Sequence, residues 1–227
     1  MKAIIGRKVG MTQVFAADGT MYPVTVIEVL PNVIVDKRTQ EKNGYEAVVV
    51  GYEDIPAKRL NNAKLGIFKK AGVEPKAHIF ELKGDEIYGK AIGETLTADL
   101  FQAGDVVDVI GHNKGHGYTG TIKKYHMHIG PKGHGSGYHR GIGSVANNGR
   151  DNNRVIPGKH MSGHWGPEQV TVQNITVVES NAAKGYILVK GGVPGPKKSL
   201  VMLRSPIRVQ FRKPEVKAIL DLTKKGE

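Results

Sequence analysis

The chain has 227 residues, 39% of them apolar, which is enough for one sizeable domain or two small ones with a real core. Lys and Arg outnumber Asp and Glu by 33 to 21, and the formal charge of +12 points to a polyanionic partner, nucleic acid first and an anionic membrane surface second. The absence of cysteine excludes disulfide staples, thiolate zinc sites and thiol catalysis.

Taken in chain order, the first third reads as β. KAIIGRKVGMTQVF, an Asp18-Gly19 turn, YPVTVIEV, NVIVDKR and YEAVVVGYE are rich in β-branched residues and separated by turn signals. The short spacing favours a meander or barrel over βαβ units. Asn61 to Ala71 places Leu65 and Phe68 three apart with Gly72 as a stop, so a short helix is expected there. Short strands are expected again from Ile79 to Ile110, ending in DVVDVI. A second β block runs through QVTVQNITVV, GYILVK, a GGVPGPKK turn and LVMLRSP. No run approaches the roughly 20 apolar residues of a membrane-spanning helix, and MKAIIGRKVGMTQVF lacks the apolar core of a secretory signal. A soluble, cytosolic protein is the expectation.

Between the two β blocks the composition breaks. Gly111 to Gly166 holds fourteen Gly, eight Lys or Arg, eight of the nine His and a single acid, Asp151. Loops beyond about 12 to 15 residues without structure of their own are usually functional or disordered. If the flanks fold together as one barrel, this segment is an excursion from it. Two arms of about 28 residues could reach roughly 90 Å at about 3.3 Å per residue.

Glycine lets backbone N–H groups approach a sugar-phosphate chain closely, Lys and Arg neutralise phosphates and release counterions, and His stacks on bases. The segment keeps Tyr118, Ile122, Tyr125, Met127, Tyr138, Met161 and Trp165, but has too few apolar residues to pack alone, so order is expected to come from RNA. The bland alternative is a mobile, solvated basic loop. A second alternative is a nucleotide-binding enzyme, because Gly115, Gly117 and Gly120 match G-x-G-x-x-G after a strand and before the possible helix TGTIKKYH. No βαβ repeat surrounds that match, and no acid follows until Asp151. His126 and His128 would share a face of an extended segment and His160 and His164 one face of a helix, but the ligating acids and cysteines of a purposeful metal site are missing. No metal, cofactor or catalytic residue is therefore assigned.

IIGRKVGMTQVF with its DG turn, the run KGHGYTGTIKKYHMHIGPKGHGSGYHRGIGS and the return KHMSGHWGPEQVTVQNITVV, in that order, closely resemble the bacterial large-subunit ribosomal protein L-three family, from Met1 to about Pro206. The resemblance implies a mainly β fold: a six-stranded Greek-key barrel of the translation-protein type with a small α-containing insertion and a long irregular basic extension. The body would be 1–110 and 167–206 with the insertion at about 54–90, the extension 111–166, and the tail 207–227. It implies a structural, non-enzymatic constituent of the large subunit that binds 23S rRNA, promotes early assembly and sends its extension toward the peptidyl transferase centre. Neighbours would be ribosomal proteins L fourteen and L nineteen.

By position, Lys114, Lys123, Lys124, Lys132, His134, His139, Arg140 and Lys159 match basic or histidine positions of the family pattern. His116, His126, Arg150, Arg154, His160, His164 and Trp165 complete the expected rRNA-binding set. The tip would span about Ser144 to Arg154, with Asn147, Asn148, Gly149, Arg150, Asp151, Asn152 and Asn153 near the peptidyl transferase centre. Departures are the His126-Met127-His128 run, the Asn-rich tip, the lack of a counterpart for a glutamine methylated in some members, and Trp165 where Met is common. Trp165 is expected either to stack on a base or to cap the barrel mouth. Arg7, Lys8, Lys197, Lys198, Arg204, Arg208, Arg212 and Lys213 could form a second phosphate-contacting face, the alternative for each being a solvated surface charge.

Overall fold

β-Branched runs separated by Gly, Pro and Asn turns become strands. The computed structural model describes residues 1–145, 154–208 and 216–220. Among them, in chain order, the strands are β1 (Ala3–Phe15), β2 (Met21–Glu28), β3 (Asn32–Arg38), β4 (Ala47–Asp54), β5 (Lys76–Leu82), β6 (Thr95–Leu96), β7 (Val106–His112), β8 (Gly117–Thr119), β9 (Gly163–Trp165), β10 (Gln169–Asn181), β11 (Tyr186–Lys190) and β12 (Leu200–Arg204). The α-helices are α1 (Gln40–Asn43), α2 (Asn62–Ala71), α3 (Asp85–Tyr88) and α4 (Thr121–Tyr125).

Six strands close into an antiparallel barrel in the order β1-β12-β7-β10-β11-β2. β1 and β10 are long enough to serve two neighbours each. β1 pairs with β12 over Ala3 to Arg7 and with β2 from Arg7 onward, with a register shift between Lys8 and Gly10. β10 pairs with β7 up to Thr176 and with β11 from Val177, with shifts on both sides of that exchange. Such bulges increase local twist and turn the corners that closure demands.

Inward residues of the barrel, including Ile27, Val107, Val109, Val177, Ile187, Val189 and Leu203, are fully buried, and each contributes about 1.5 to 3 kcal/mol relative to exposure. NVIVDKR and YEAVVVGYE, read from sequence as strands of the body ahead of an insertion at about 54, lie instead in a second sheet of order β5-β4-β3-β6. The reason is legible in their burial. Val33, Ile34 and Val35 are consecutive and buried, as are Ala47 to Tyr52, so both faces are covered, whereas a half-solvated strand would alternate. Asn32, fully buried, locks the junction: its Oδ1 accepts the Ile5 N–H at 3.1 Å and its Nδ2 donates to the carbonyls of Ile5 at 3.0 Å and Leu30 at 2.9 Å.

The expected helix forms as α2. Asn61 caps it by accepting the Lys64 N–H at 3.0 Å, Phe68 is its buried residue, and Gly72 ends it in the left-handed region. The stretch from Ile79 to Ile110 holds the short strands expected, β5, β6 and β7, and in addition the helix α3 between β5 and β6. Asp85 and Glu86 sit in the first turn of α3, where carboxylates favour the helix N-terminus, and Ile87 is its buried anchor.

The C-terminal residues 216–220, whose role the sequence left open, extend the end of β1. The Ala17 N–H donates to the Ala218 carbonyl at 2.9 Å and the Leu220 N–H to the Phe15 carbonyl at 2.8 Å. Val216 and Ile219 pack on an apolar cluster of Ala16, Tyr22, Val24, Val178 and Leu188. Lys217 forms an ion pair with Asp18 in the DG turn.

The described chain divides into two compact units. One comprises Met1–His112 and the described residues from Gln169 onward; the other is Asn113–Glu168.

Candidate nucleic-acid interface

The Asn113–Glu168 unit leaves β7 at His112 and returns to β10 at Gln169, two residues that are themselves partners in the barrel ladder. Asn113 carries the pairing past the last strand residue: its N–H donates to the Glu168 carbonyl at 2.9 Å and its Oδ1 accepts the Glu168 N–H at 2.8 Å. The His116 N–H then donates to the Trp165 carbonyl at 2.8 Å, and β8 and β9 pair antiparallel as Gly117↔Trp165, Tyr118↔His164 and Thr119↔Gly163. Gly166 is required here. Its φ is +63°, and a Cβ would stand 2.4 Å from the Lys114 carbonyl oxygen.

Rings fasten the two arms. His116 stacks on Trp165 with centroids 4.1 Å apart, and Tyr125, at the end of α4, stacks on His160 at 4.0 Å. Lys124 in α4 donates from Nζ to the His164 carbonyl at 2.9 Å and lies 5.3 Å from the Tyr125 ring centre. Offset stacking and cation–π contacts each supply about 0.5 to 1.5 kcal/mol. The segment therefore has a stem of its own, which the count of apolar side chains did not anticipate. The signal was present as paired tripeptides, Gly-Tyr-Thr and Gly-His-Trp, whose rings alternate with small residues.

Beyond α4 the chain folds back once more. The Gly130 N–H donates to the His139 carbonyl at 2.9 Å, and a Cβ on Gly130 would fall 2.1 Å from the Tyr138 carbonyl oxygen. The His139 Nδ1 lies 2.9 Å from the Pro131 carbonyl, which it meets as a donor. His126 and His134 adopt positive φ.

Of the residues singled out from sequence, Lys114, His116, Lys123, His126, Lys132, His134, His139, Arg140, Arg154, Lys159, His160 and His164 are exposed, and Lys124 and Trp165 are half-buried. Asn147, Asn148, Gly149, Arg150, Asp151, Asn152 and Asn153 lie outside the described residues, as do Arg212 and Lys213. His160 and His164 are not on a helix: the first lies in irregular chain and the second in β9, so they do not share a helical face. Trp165 has one face of its ring covered by His116. The G-x-G-x-x-G match dissolves on inspection of its neighbours. Gly117 begins a strand of an antiparallel ribbon, α4 has five residues, and β7 pairs only antiparallel, so no βαβ crossover exists to aim a helix at a pyrophosphate.

The electrostatics of the two units differ. In the barrel unit several cations hold carboxylates: Arg7 grips the Glu53 carboxylate through Nε and Nη2, Arg38 pairs with Glu81, Lys76 with Asp54. The Glu53 contact pushes the Arg7 pKa above its ordinary value, and the Tyr45 hydroxyl, then Arg38, hold Glu81 below the carboxylate range. Arg7 also donates to the Lys198 carbonyl, and Lys8 Nζ to those of Val193 at 2.7 Å and Gly195 at 2.9 Å. These two cations, expected on a phosphate-contacting face, are thus used to tie β1 to Glu53 and to the 191–198 turn. Arg204 lies 3.9 Å from the buried Asp108. In the Asn113–Glu168 unit, by contrast, no described Lys or Arg makes an ion pair with a described carboxylate.

The family model described as "Ribosomal protein L3" matches residues 77–185, a span that encloses the whole Asn113–Glu168 unit. The proteins named large ribosomal subunit protein uL3 from Geobacillus sp. (strain WCH70) and Geobacillus thermodenitrificans (strain NG80-2) are each 44% identical over 211 residues, covering 93% of this chain and 99% of theirs. The chain belongs to the ribosomal protein L3 family. The uL3 of Spiroplasma kunkelii is likewise 44% identical over 208 residues, 92% of this chain and 79% of its own. Coverage at this level takes in barrel, second sheet and basic unit together, so this L3 family member is related to the uL3 proteins as a whole chain and not through its barrel alone. These relatives are named as ribosomal proteins, not enzymes.

Proposed function

We propose that the chain is a structural constituent of the large ribosomal subunit in the cytoplasm, and that its Asn113–Glu168 unit binds 23S rRNA. One observation carries this reading. Seven described cations of that unit, Lys114, Lys123, Lys124, Lys132, Arg140, Arg154 and Lys159, face no described carboxylate within ion-pair reach and stand on a backbone rich in glycine. Unmatched cations on glycine-rich backbone suit phosphates, whose neutralisation releases counterions.

Within this reading the extension runs toward the peptidyl transferase centre with residues 144–154 at its tip, its contribution is architectural, and the chain enters the subunit early in assembly. Ribosomal proteins L fourteen and L nineteen are its proposed neighbours. The relatives, each named a large ribosomal subunit protein, support the large-subunit assignment. Lys197, Lys198 and Arg208 remain candidates for a second phosphate contact; Arg7 and Lys8 do not, being engaged within the barrel unit.

The test is a titration of the full chain with large-subunit rRNA transcripts, and separately with NAD and ATP, at several salt concentrations. The reading requires RNA affinity that falls steeply with salt, by about 0.7 to 0.9 in log–log slope per phosphate contact. Saturable NAD or ATP binding with no RNA affinity would return the nucleotide-enzyme alternative.

A further inference from the structure

The β8–β9 ribbon has two faces. On one, Trp165 is covered by His116. On the other, the directly opposed pair Tyr118 and His164 carries an aromatic ring that no other described ring covers: Tyr118 is 73% exposed, the most exposed of the large apolar side chains among the described residues. It makes an edge-on approach to His164, with centroids 5.9 Å apart at 84°, and a long hydroxyl contact to the Ser162 carbonyl at 3.4 Å. The edge contact orients the ring and leaves its faces open. The ribbon pairing and the Lys124 hydrogen bond to the His164 carbonyl hold the backbone beneath it.

A tyrosine on a mobile loop would lose backbone entropy on binding, but the backbone of this one is already held in a paired strand. Its chain neighbours within the unit are cations without carboxylate partners, so the field around the ring attracts a polyanion and repels a basic peptide. A flat, oriented ring in a cationic setting is what an unpaired nucleobase stacks on, while the flanking lysines hold its phosphates.

We propose that Tyr118, positioned by His164, is a stacking platform for one unpaired base of RNA. This rests on the rRNA-binding reading above and adds to it a contact that depends on a base and not on charge. Stacking carries no counterion release, so affinity and salt dependence separate the two.

The experiment uses the full chain and transcripts of large-subunit rRNA domains, with Tyr118→Leu, Tyr118→Phe and the Lys123→Gln/Lys124→Gln pair compared with the unsubstituted protein. Tyr118→Leu is expected to weaken binding roughly 5- to 150-fold with an unchanged salt slope, since a stacked base contributes about that factor. Tyr118→Phe is expected to bind as the parent does, and the lysine pair to flatten the slope. The fluorescence of Trp165, the chain's one tryptophan, reports that the stem is intact in each variant. If Tyr118→Leu binds RNA as well as the parent, or weakens it only together with the slope, the platform is overturned while RNA binding stands. If the parent itself fails to bind RNA, the underlying reading falls instead. Loss of affinity for a large-subunit protein, with RNA affinity untouched, would also overturn the platform.

Discussion

Tyr125 lies flat on His160, with ring centroids 4.0 Å apart and planes 1° from parallel, so a residue of the outgoing arm is stacked on one of the returning arm. With the His116–Trp165 stack and the short ribbon between them, this contact makes a stem out of sequence that holds few aliphatic side chains.

The stem implies graded protection and not uniform opening. In the free protein, the amides of Asn113, His116 and Lys124, each bonded to a carbonyl within the unit, are expected to exchange more slowly than those of Gly141 to Val145. Hydrogen exchange read by NMR or mass spectrometry checks this. Trp165→Ala is expected to speed exchange at His116; equal, fast exchange throughout 113–145 would mean the stem forms only on RNA.

Charge replacement separates lysines by their contacts. Lys123→Gln with Lys132→Gln is expected to lower the log–log salt slope of rRNA binding by about 1.4 to 1.8, at about 0.7 to 0.9 per phosphate contact. Lys124 already donates to the His164 carbonyl, so Lys124→Gln should flatten the slope less than either of the others. Filter binding across a salt series is the measurement.

Gly166 is the sharpest steric test. An alanine there would need φ near +63° and would press its Cβ against the Lys114 carbonyl, at a cost of about 1 to 3 kcal/mol in closing the stem. Gly166→Ala is expected to raise exchange at His116 while the barrel amides keep their protection. Unchanged exchange would show that the arms close without this approach.

The C-terminal contact is pH-dependent in one direction. Lys217, then Thr20, hold the Asp18 carboxyl well below the usual range. A carboxyl depressed in the folded state adds stability above its unfolded pKa of about 3.9 and loses it as pH falls toward the folded value. The Leu220 amide, bonded to the Phe15 carbonyl, is expected to lose protection as the solution is acidified below about pH 4, and Asp18→Asn to remove that dependence. The group is solvent-exposed, so added salt should weaken the effect.

Much of this architecture was legible in the chain itself. Period-two and β-branched runs marked nearly every barrel strand, Asn61 and Gly72 bounded α2, and the DG turn formed where Asp18-Gly19 stands, with Thr20 bonded to Asp18. The basic, glycine-rich break at Gly111 to Gly166 is close to the unit Asn113–Glu168, because a composition that cannot build a core has to leave one. Which strands share a sheet was not legible. β3 and β4 carry the same apolar signal as their neighbours, and only their double-sided burial assigns them to the second sheet.

Composition and local pattern therefore determined the β character, the cationic excursion and its place between two blocks, since these depend on residues adjacent in the chain. The tertiary structure decided which cations are already taken. Arg7 and Lys8 look like Lys123 and Lys132 in a sequence, but Glu53 and the carbonyls of the 191–198 turn are brought to the first pair by folding. It also decided that Trp165 meets His116 and that Tyr118 stands open. Ring stacking and ion pairing act over a few ångströms in space, between residues whose separation along the chain carries no trace of that distance.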